Sequence, residues 1–291
     1  MNDIKVYCVV RTQRGYNYDN FDEMDKVFDT FNTDRNFMRS FVSFWKSVFK
    51  YPYANVRQEL RELCFESIRK ANFDKVYWCL EDFVDELSNI HEDILVYFTD
   101  DDDWVRSDAP SIIKKNYIDG YDGLVWTHVR ILPFTNQITS PNEYETSDMN
   151  GNKYQLNFTP HPYIQSNHCV VKYPSDPSTN YGNYIPRFNQ KIPVNHYCIN
   201  YYLHERGRKY IYINDVLSIY NSTPASIAYY ENDFVKGNNP LYINKFDEKT
   251  KSYYNDTKKF VEEPTHGVMH LFPAEFESYL NKTKIIFKKC L

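Results

Sequence analysis

Four consecutive carboxylates, Asp100-Asp101-Asp102-Asp103, directly follow a short apolar run at residues 94–98. Four neighbouring negative charges repel one another, so the run is costly unless a cation offsets it. Mg²⁺ and Mn²⁺ prefer oxygen ligands and bind through one or two carboxylates together with substrate phosphates. Alternation along an extended chain would put Asp100 and Asp102 on one side. The run therefore predicts a divalent-metal site, and the alternative is a solvated acidic turn before a helix that starts near Ser107.

Polar groups also follow two other apolar runs. Residues 4–10 are typical of a buried strand and lead into Arg11 and Thr12, whereas residues 75–80 lead into Glu81 and Asp82. Ligands of open α/β sheets collect at the carboxyl ends of the strands. We therefore expect Arg11, Thr12 and Asp82 to lie near the aspartate run. An arginine there could bind a phosphate through two hydrogen bonds, and surface salt bridging is the alternative.

The elements that must position these groups alternate along the first hundred residues. Apolar stripes at residues 35–49 and 55–71 predict two helices between the strands at 4–10 and 75–80, and a third strand follows at 94–98. This order predicts a doubly wound α/β fold with a mainly parallel sheet flanked by helices. Further strands are predicted at residues 123–131, 168–173 and 209–213, and a helix at 196–206. From residue 234 onward we expect a polar extension that ends in a helix near 273–280.

Composition narrows the classes of partner. The net charge is −5 and no basic stripe is present, so a nucleic acid is not an expected partner. The first residues do not form a signal peptide, and no apolar run approaches the length that spans a bilayer. We therefore expect a soluble, cytoplasmic protein without a transmembrane segment, for which peripheral membrane contact stays open. The six cysteines form no CxxC pair and are expected to be reduced.

At the aspartate run the sequence resembles a known family. Residues 98–108 (FTDDDDWVRSD) are similar to the metal-binding segment of glycosyltransferases with the GT-A fold, in particular family-2 and rhamnosyltransferase-like enzymes. The resemblance implies a GT-A-like single domain with a mixed, mainly parallel sheet. It implies that Asp100 and Asp101 meet the nucleotide sugar, and that Asp100 and Asp102 hold Mn²⁺ or Mg²⁺. It further implies that Asp103 orients the sugar or supports the metal, and that Asp82 contacts the nucleobase.

The same resemblance suggests three more site residues. His196 stands where the family has an acidic catalytic base, and a neutral histidine can accept the proton of an acceptor hydroxyl. Asp233 is the reserve candidate for that base. His266 corresponds to the late histidine that some GT-A enzymes use as an extra metal ligand. Ordinary packing of His196 and His266 is the alternative interpretation in both cases.

These observations lead to one expected function. A nucleotide-sugar-binding half (residues 1–108) would join an acceptor-binding half (109–233) and a C-terminal extension (234–291) that closes over the acceptor side. The expected reaction is transfer of a sugar from a nucleoside-diphosphate sugar to a glycan hydroxyl, with inversion slightly favoured. The alternatives are a metal-dependent phosphohydrolase or nuclease, which also gathers aspartates, and a carbohydrate-binding protein without catalysis. Released nucleoside diphosphate or released inorganic phosphate would distinguish the two enzymes.

Overall fold

The structure is a computed structural model. It describes residues 4–12, 35–87, 89–127, 129–132, 137–139, 168–173, 203, 208–221, 223–226, 246–262 and 274–291. Within these residues the chain forms ten strands and six helices. The strands are β1 (Lys5–Val10), β2 (Lys75–Tyr77), β3 (Ile94–Thr99), β4 (Trp104–Val105), β5 (Gly123–Trp126), β6 (Val129–Leu132), β7 (Gln137–Thr139), β8 (Cys169–Tyr173), β9 (Tyr210–Ile213) and β10 (Ser218–Asn221). The helices are α1 (Arg35–Val48), α2 (Tyr53–Lys70), α3 (Leu80–Leu87), α4 (Ala109–Asn116), α5 (Phe246–Glu262) and α6 (Ala274–Lys288).

A six-stranded sheet is the centre of the fold. Its strand order is β2-β1-β3-β8-β5-β9. Strands β2, β1 and β3 are parallel, β8 is antiparallel to both of its neighbours, and β9 is parallel to β5. The prediction of an α/β fold with a mixed, mainly parallel sheet is therefore confirmed at this level. Strands from both predicted halves share this sheet, while the boundaries of the halves stay a prediction.

A second, four-stranded sheet has the order β4-β10-β6-β7. It corrects the single strand expected at residues 123–131, because β5 belongs to the large sheet and β6 to the small one. The chain changes sheets at Thr127, whose N–H donates to the carbonyl of Asp215 (3.0 Å). A continuous apolar run does not reveal such a change, since both pieces are strands.

The large sheet is buried on both faces, as the nearly continuous apolar strands require. Along β1, Val6, Cys8 and Val10 face one side, where α2 and α4 pack. Tyr7 and Val9 face the other side, where α3 places Leu80 and Phe83. Alternation along β3 follows the same rule. The helices on the two faces therefore fix the register and position of the strand ends.

Four helices, α1, α2, α5 and α6, form an aromatic layer beside the sheets. Its largest buried side chain is Trp45, whose ring centroid lies 4.5 Å from that of Phe49 and 5.4 Å from that of Tyr53. Phe260 of α5 meets Phe287 of α6 edge to face, with centroids 5.9 Å apart. The helix expected near residues 273–280 is present as α6, and α5 and α6 both contribute to a hydrophobic core, whereas the predicted extension as a unit stays a prediction. Among the residues described, no helix has the length and apolar character needed to cross a bilayer.

Candidate functional site

The site lies where the chain changes direction across the large sheet. From β1 the chain passes through α1 and α2 to β2 on one side, and then through α3 to β3 on the other side of β1. The carboxyl ends of β1 and β3 therefore border a topological switch point, where open α/β sheets bind ligands. The N–H of Arg11 donates to the carbonyl of Thr99 (2.8 Å), so pairing of the two strands continues to this edge. The aspartate run begins at the next residue.

Asp100 forms an ion pair across the switch point. Its Oδ1 lies 2.6 Å from Nη2 of Arg11, which follows β1. The Asp100 side chain is 32 % exposed and that of Arg11 is 8 % exposed. Arg11 therefore forms a salt bridge, which was the alternative interpretation, although its guanidinium is buried; a contact with phosphate stays a prediction. Asp100 is the most accessible carboxylate of the four.

Asp101 and Asp102 share one buried cation. The Arg57 guanidinium of α2 places Nη2 at 2.6 Å from Oδ1 of Asp101, and its Nη1 contacts Oδ2 of Asp102. Side chains of all three residues are about nine-tenths buried. Burial raises the pKa of Asp102 to about 6, and the nearby Arg57 charge opposes this rise. At neutral pH the pair is therefore a charged carboxylate held by a charged guanidinium in a poorly hydrated place.

Arg61 adds a second cation one helical turn after Arg57. Its Nε lies 3.5 Å from Oδ2 of Asp101, and its Nη2 donates to Oγ1 of Thr12 (2.5 Å). Residues four apart lie on the same face of a helix. One face of α2 thus connects the aspartate run to the end of β1, and Thr12 is brought into the site as predicted.

Asp103 is buried at the junction of the two sheets. The N–H of Asn221 on β10 donates to Oδ1 of Asp103 (2.8 Å), and Nδ2 of Asn221 donates to the carbonyl of Asp102 (3.1 Å). Burial raises the pKa of Asp103 well above its ordinary value, and the Asp100 and Asp102 charges raise it further. The site therefore favours the neutral acid form of Asp103.

Helix α2 supports the chain on both sides of the run. The thiol of Cys64 donates to the carbonyl of Asp100 (3.4 Å), and the hydroxyl of Ser67 accepts the N–H of Val105 (3.2 Å). Trp104 is fully buried, and its ring centroid lies 5.7 Å from that of Tyr279 on α6. The run is thus held against α2 and under α6.

No family model, curated protein or solved structure matches the chain. The site geometry and the resemblance of residues 98–108 are therefore the grounds for any functional conclusion.

The expected side-by-side arrangement of Asp100 and Asp102 depends on an extended chain. In the structure residues 101 and 102 form a turn, and the two carboxylates bind different arginines. Among the described residues, no group of three or more His, Cys, Asp or Glu side chains is arranged to hold a metal ion. The metal prediction therefore stays a prediction that rests on the ligand type of the run.

Other predicted residues have different outcomes. Asp82 lies half-buried in the first turn of α3, whose first N–H, at Leu80, donates to the carbonyl of Thr12 (3.0 Å). This bond places the start of α3 beside the end of β1, although a nucleobase contact for Asp82 stays a prediction. His196, Asp233 and His266 lie outside the residues that the structure describes.

The sequence interpretation missed three residues that contact the run, namely Arg57, Arg61 and Asn221. The two arginines carried a usable signal. Arg57 lies three residues before Leu60 and Arg61 three before Cys64, on the side of α2 where those apolar residues lie. Arginines near an apolar stripe indicate buried partners of opposite charge. Asn221 offered no comparable signal because β10 was not predicted.

Proposed function

We propose that this chain transfers a sugar from a nucleoside-diphosphate sugar to a hydroxyl group of a glycan acceptor. One observation carries the proposal. The Arg11–Asp100 pair joins the carboxyl ends of β1 and β3 at the topological switch point, and Asp100 is the accessible member of the run. A ligand with both phosphate and hydroxyl groups matches this pair, since guanidinium binds phosphate and carboxylate accepts hydroxyl hydrogen bonds.

The sheet supports the same proposal. A mixed, mainly parallel sheet is what the resemblance of residues 98–108 to GT-A glycosyltransferases implies. The run directly follows β3, in the centre of this sheet, and the small sheet begins immediately after it with β4. Fold alone does not define an activity. The sheet supports the proposal because residues 98–108 lie at its carboxyl edge, which is where α/β sheets bind nucleotides.

The residues of the run fit a hard divalent ion in part. Carboxylate oxygens are its preferred ligands, and Mg²⁺ is commonly held by one or two carboxylates with substrate phosphates. Asp100 offers such a carboxylate, whereas Asp102 is bonded to Arg57. Mn²⁺ or Mg²⁺ would therefore be held by Asp100 and the donor phosphates, and Asp102 would become a ligand only where its contact with Arg57 is lost. When bound, the ion would stabilise negative charge on the departing diphosphate.

The chain's own residues then have separate roles in the proposal. Arg11 and Thr12 would bind the donor at the end of β1, and Asp100 would accept a hydroxyl of the nucleotide ribose. Asp103, which is 1 % exposed, would support the run rather than touch the sugar. His196, with Asp233 in reserve, stays the predicted base that accepts the proton of the acceptor hydroxyl.

A binding and turnover experiment tests the proposal. Isothermal titration with UDP, GDP and dTDP, with and without Mn²⁺, should give binding to at least one nucleotide. A screen of the corresponding sugar donors should release nucleoside diphosphate. Asp100→Asn should weaken nucleotide binding at least tenfold, and Asp108→Asn, an exposed control beyond the run, should leave it unchanged.

Three results would contradict the proposal. Absence of binding to every nucleotide would favour a non-catalytic protein. Release of inorganic phosphate in place of nucleoside diphosphate would favour a phosphohydrolase. Equal nucleotide affinity of Asp100→Asn and the unmodified chain would remove Asp100 from the site.

A further inference from the structure

The Arg57 guanidinium already contacts a carboxylate oxygen of Asp102, a residue predicted to hold a metal ion. It bridges the carboxylates of Asp101 and Asp102 from α2, with only 9 % of its own side chain exposed. A guanidinium presents its donors in a fixed plane, so one arginine can bind two carboxylates at once. The run therefore has a cation of its own, supplied by a helix that lies about 45 residues earlier in the chain.

A divalent ion and Arg57 would compete for the same oxygen. Oδ2 of Asp102 accepts a hydrogen bond from Nη1 of Arg57. Two cations on one buried carboxylate also repel each other strongly, because the surroundings screen charge poorly. Arg57 therefore opposes the binding of an ion to Asp102.

A second observation concerns a buried amide oxygen of Asn221, a residue that contacts the run. Asn221 is 1 % exposed, and its N and Nδ2 both donate to the run. Its Oδ1 is buried without a hydrogen-bond partner among the described residues. A buried amide oxygen normally has a partner, and amide oxygens are also ligands of hard cations. Asn221 therefore carries a buried acceptor on the same amide group that donates to the Asp102 carbonyl.

We propose that Arg57 is a resident counter-cation that excludes divalent ions from Asp102 in the free protein. Replacement of Arg57 would convert the run into an ion site that needs no nucleotide. In the unmodified chain an ion would bind well only together with a diphosphate. The diphosphate oxygens would replace the Asp102 oxygen that is bonded to Arg57. This inference rests on the proposed function for its biological setting, but its test uses the metal alone.

The test is a Mn²⁺ titration followed by electron paramagnetic resonance, with the full chain and no nucleotide. Arg57→Gln should bind Mn²⁺ at least tenfold more tightly than the unmodified chain. Arg57→Lys should bind with intermediate affinity, because an ammonium group is a point charge that does not bridge two carboxylates as a planar guanidinium does. The double variant Arg57→Gln/Asp102→Asn should lose the gain, since the proposed ligand is then absent.

Two controls make the result decisive. Arg69→Gln removes the same charge from α2 at a side chain that is 58 % exposed and should leave Mn²⁺ affinity unchanged. Circular dichroism establishes that each variant is folded, and Arg57→Lys decides the question if Arg57→Gln does not fold. The inference is overturned if no folded Arg57 variant gains affinity, or if the gain persists without the Asp102 carboxylate.

This outcome is separable from that of the proposed function. Nucleotide binding without any Mn²⁺ gain in Arg57→Gln would overturn the inference and leave the function standing. A gain in Mn²⁺ affinity in Arg57→Gln, together with no binding of any nucleotide by the unmodified chain, would support the inference and overturn the proposed function.

Discussion

The first aspartate of the run differs from the three that follow it in its exposure to solvent and in the origin of its partners, although all four carry the same carboxylate group. Asp100 is one-third exposed and pairs with an arginine from the end of β1. Asp101, Asp102 and Asp103 are buried, and their partners come from α2 and β10. Neighbouring residues of one type have therefore been divided into an accessible end and a buried end. A motif of four identical letters does not show this division.

The physical origin of the difference is helix α2. Its buried face places Arg57, Arg61, Cys64 and Ser67 under residues 100–105. A charged group is tolerated inside a protein only if it is paired and hydrogen-bonded. The buried end of the run satisfies this condition with protein groups, and so it acts as part of the core. The accessible end keeps contact with solvent, as the proposed ligand-binding carboxylate requires.

The largest expected effect comes from removing the shared cation. Arg57→Met should destabilise the chain by about 3–5 kcal/mol, because it removes the arginine that contacts Asp102 and the nearer of the two arginines that contact Asp101. Urea unfolding followed by circular dichroism measures this loss, with Arg69→Gln as the control on the same helix. A loss no larger than that of the control would show that the buried end is not held by Arg57.

A smaller loss is expected when one of the two carboxylates is neutralised. Asp102→Asn keeps the shape of the side chain but removes a charge-assisted hydrogen bond, which contributes roughly 1.5–3 kcal/mol. Asp101 still pairs with Arg57 in this variant. Unfolding midpoints of Asp102→Asn and Asp100→Asn, compared at pH 7, check the contrast between the buried and accessible ends. Equal unfolding midpoints would show that the buried and accessible ends contribute equally to stability.

A third change should affect stability less than Asp102→Asn does. Asp103→Asn resembles the neutral acid that burial favours, and its Oδ1 can still accept the N–H of Asn221. We expect a change within about 1 kcal/mol, since the hydrogen bond is retained. A loss as large as that of Asp102→Asn would mean that Asp103 is charged in the folded chain.

The same variant tests the pH dependence. The folded pKa of Asp103 is raised above its unfolded value, so the folded state binds the proton more tightly. The resulting stability is fully present below the unfolded pKa and is lost as pH rises through the folded pKa. Unfolding free energies measured between pH 4 and pH 8 should therefore decline more steeply for the unmodified chain than for Asp103→Asn. Parallel curves would contradict the raised pKa.

The sequence predicted the strands and helices whose periodicity is strong. The apolar runs gave β1 and β3, and the stripes gave α1 and α2 within a few residues. It did not predict β4, which has two residues, or α5, in which Tyr253 and Phe260 stand among many charged residues. Sequence-based prediction of strands and helices depends on the periodicity of apolar residues. A two-residue strand is too short to show this periodicity, and a helix with many charged residues shows it only weakly.

The candidate site shows the same limit more sharply. The end of each strand was visible in the sequence, so Arg11, Thr12 and Asp100 could be placed at one edge. The partners of Asp102 could not, because Arg57 precedes it by 45 residues and Asn221 follows it by 119. Such contacts depend on how helices and sheets pack, which no local pattern encodes.

The smallest stability effect is expected at Asp100, where the effect on binding should be greatest. Asp100→Asn neutralises the accessible member of the Arg11 pair, but its amide oxygen can still accept a hydrogen bond from the guanidinium, so we expect a loss of about 1 kcal/mol. Its unfolding midpoint should therefore stay close to that of the unmodified chain, while its affinity for the preferred nucleotide falls at least tenfold. Asp102→Asn should show the reverse order, a clear loss of stability with a smaller loss of affinity, because its carboxylate faces Arg57 rather than solvent. Calorimetric titration and urea unfolding on the same two preparations measure both quantities. If affinity fell more in Asp102→Asn than in Asp100→Asn, the buried end would be the ligand site and the division between the two ends would be wrong.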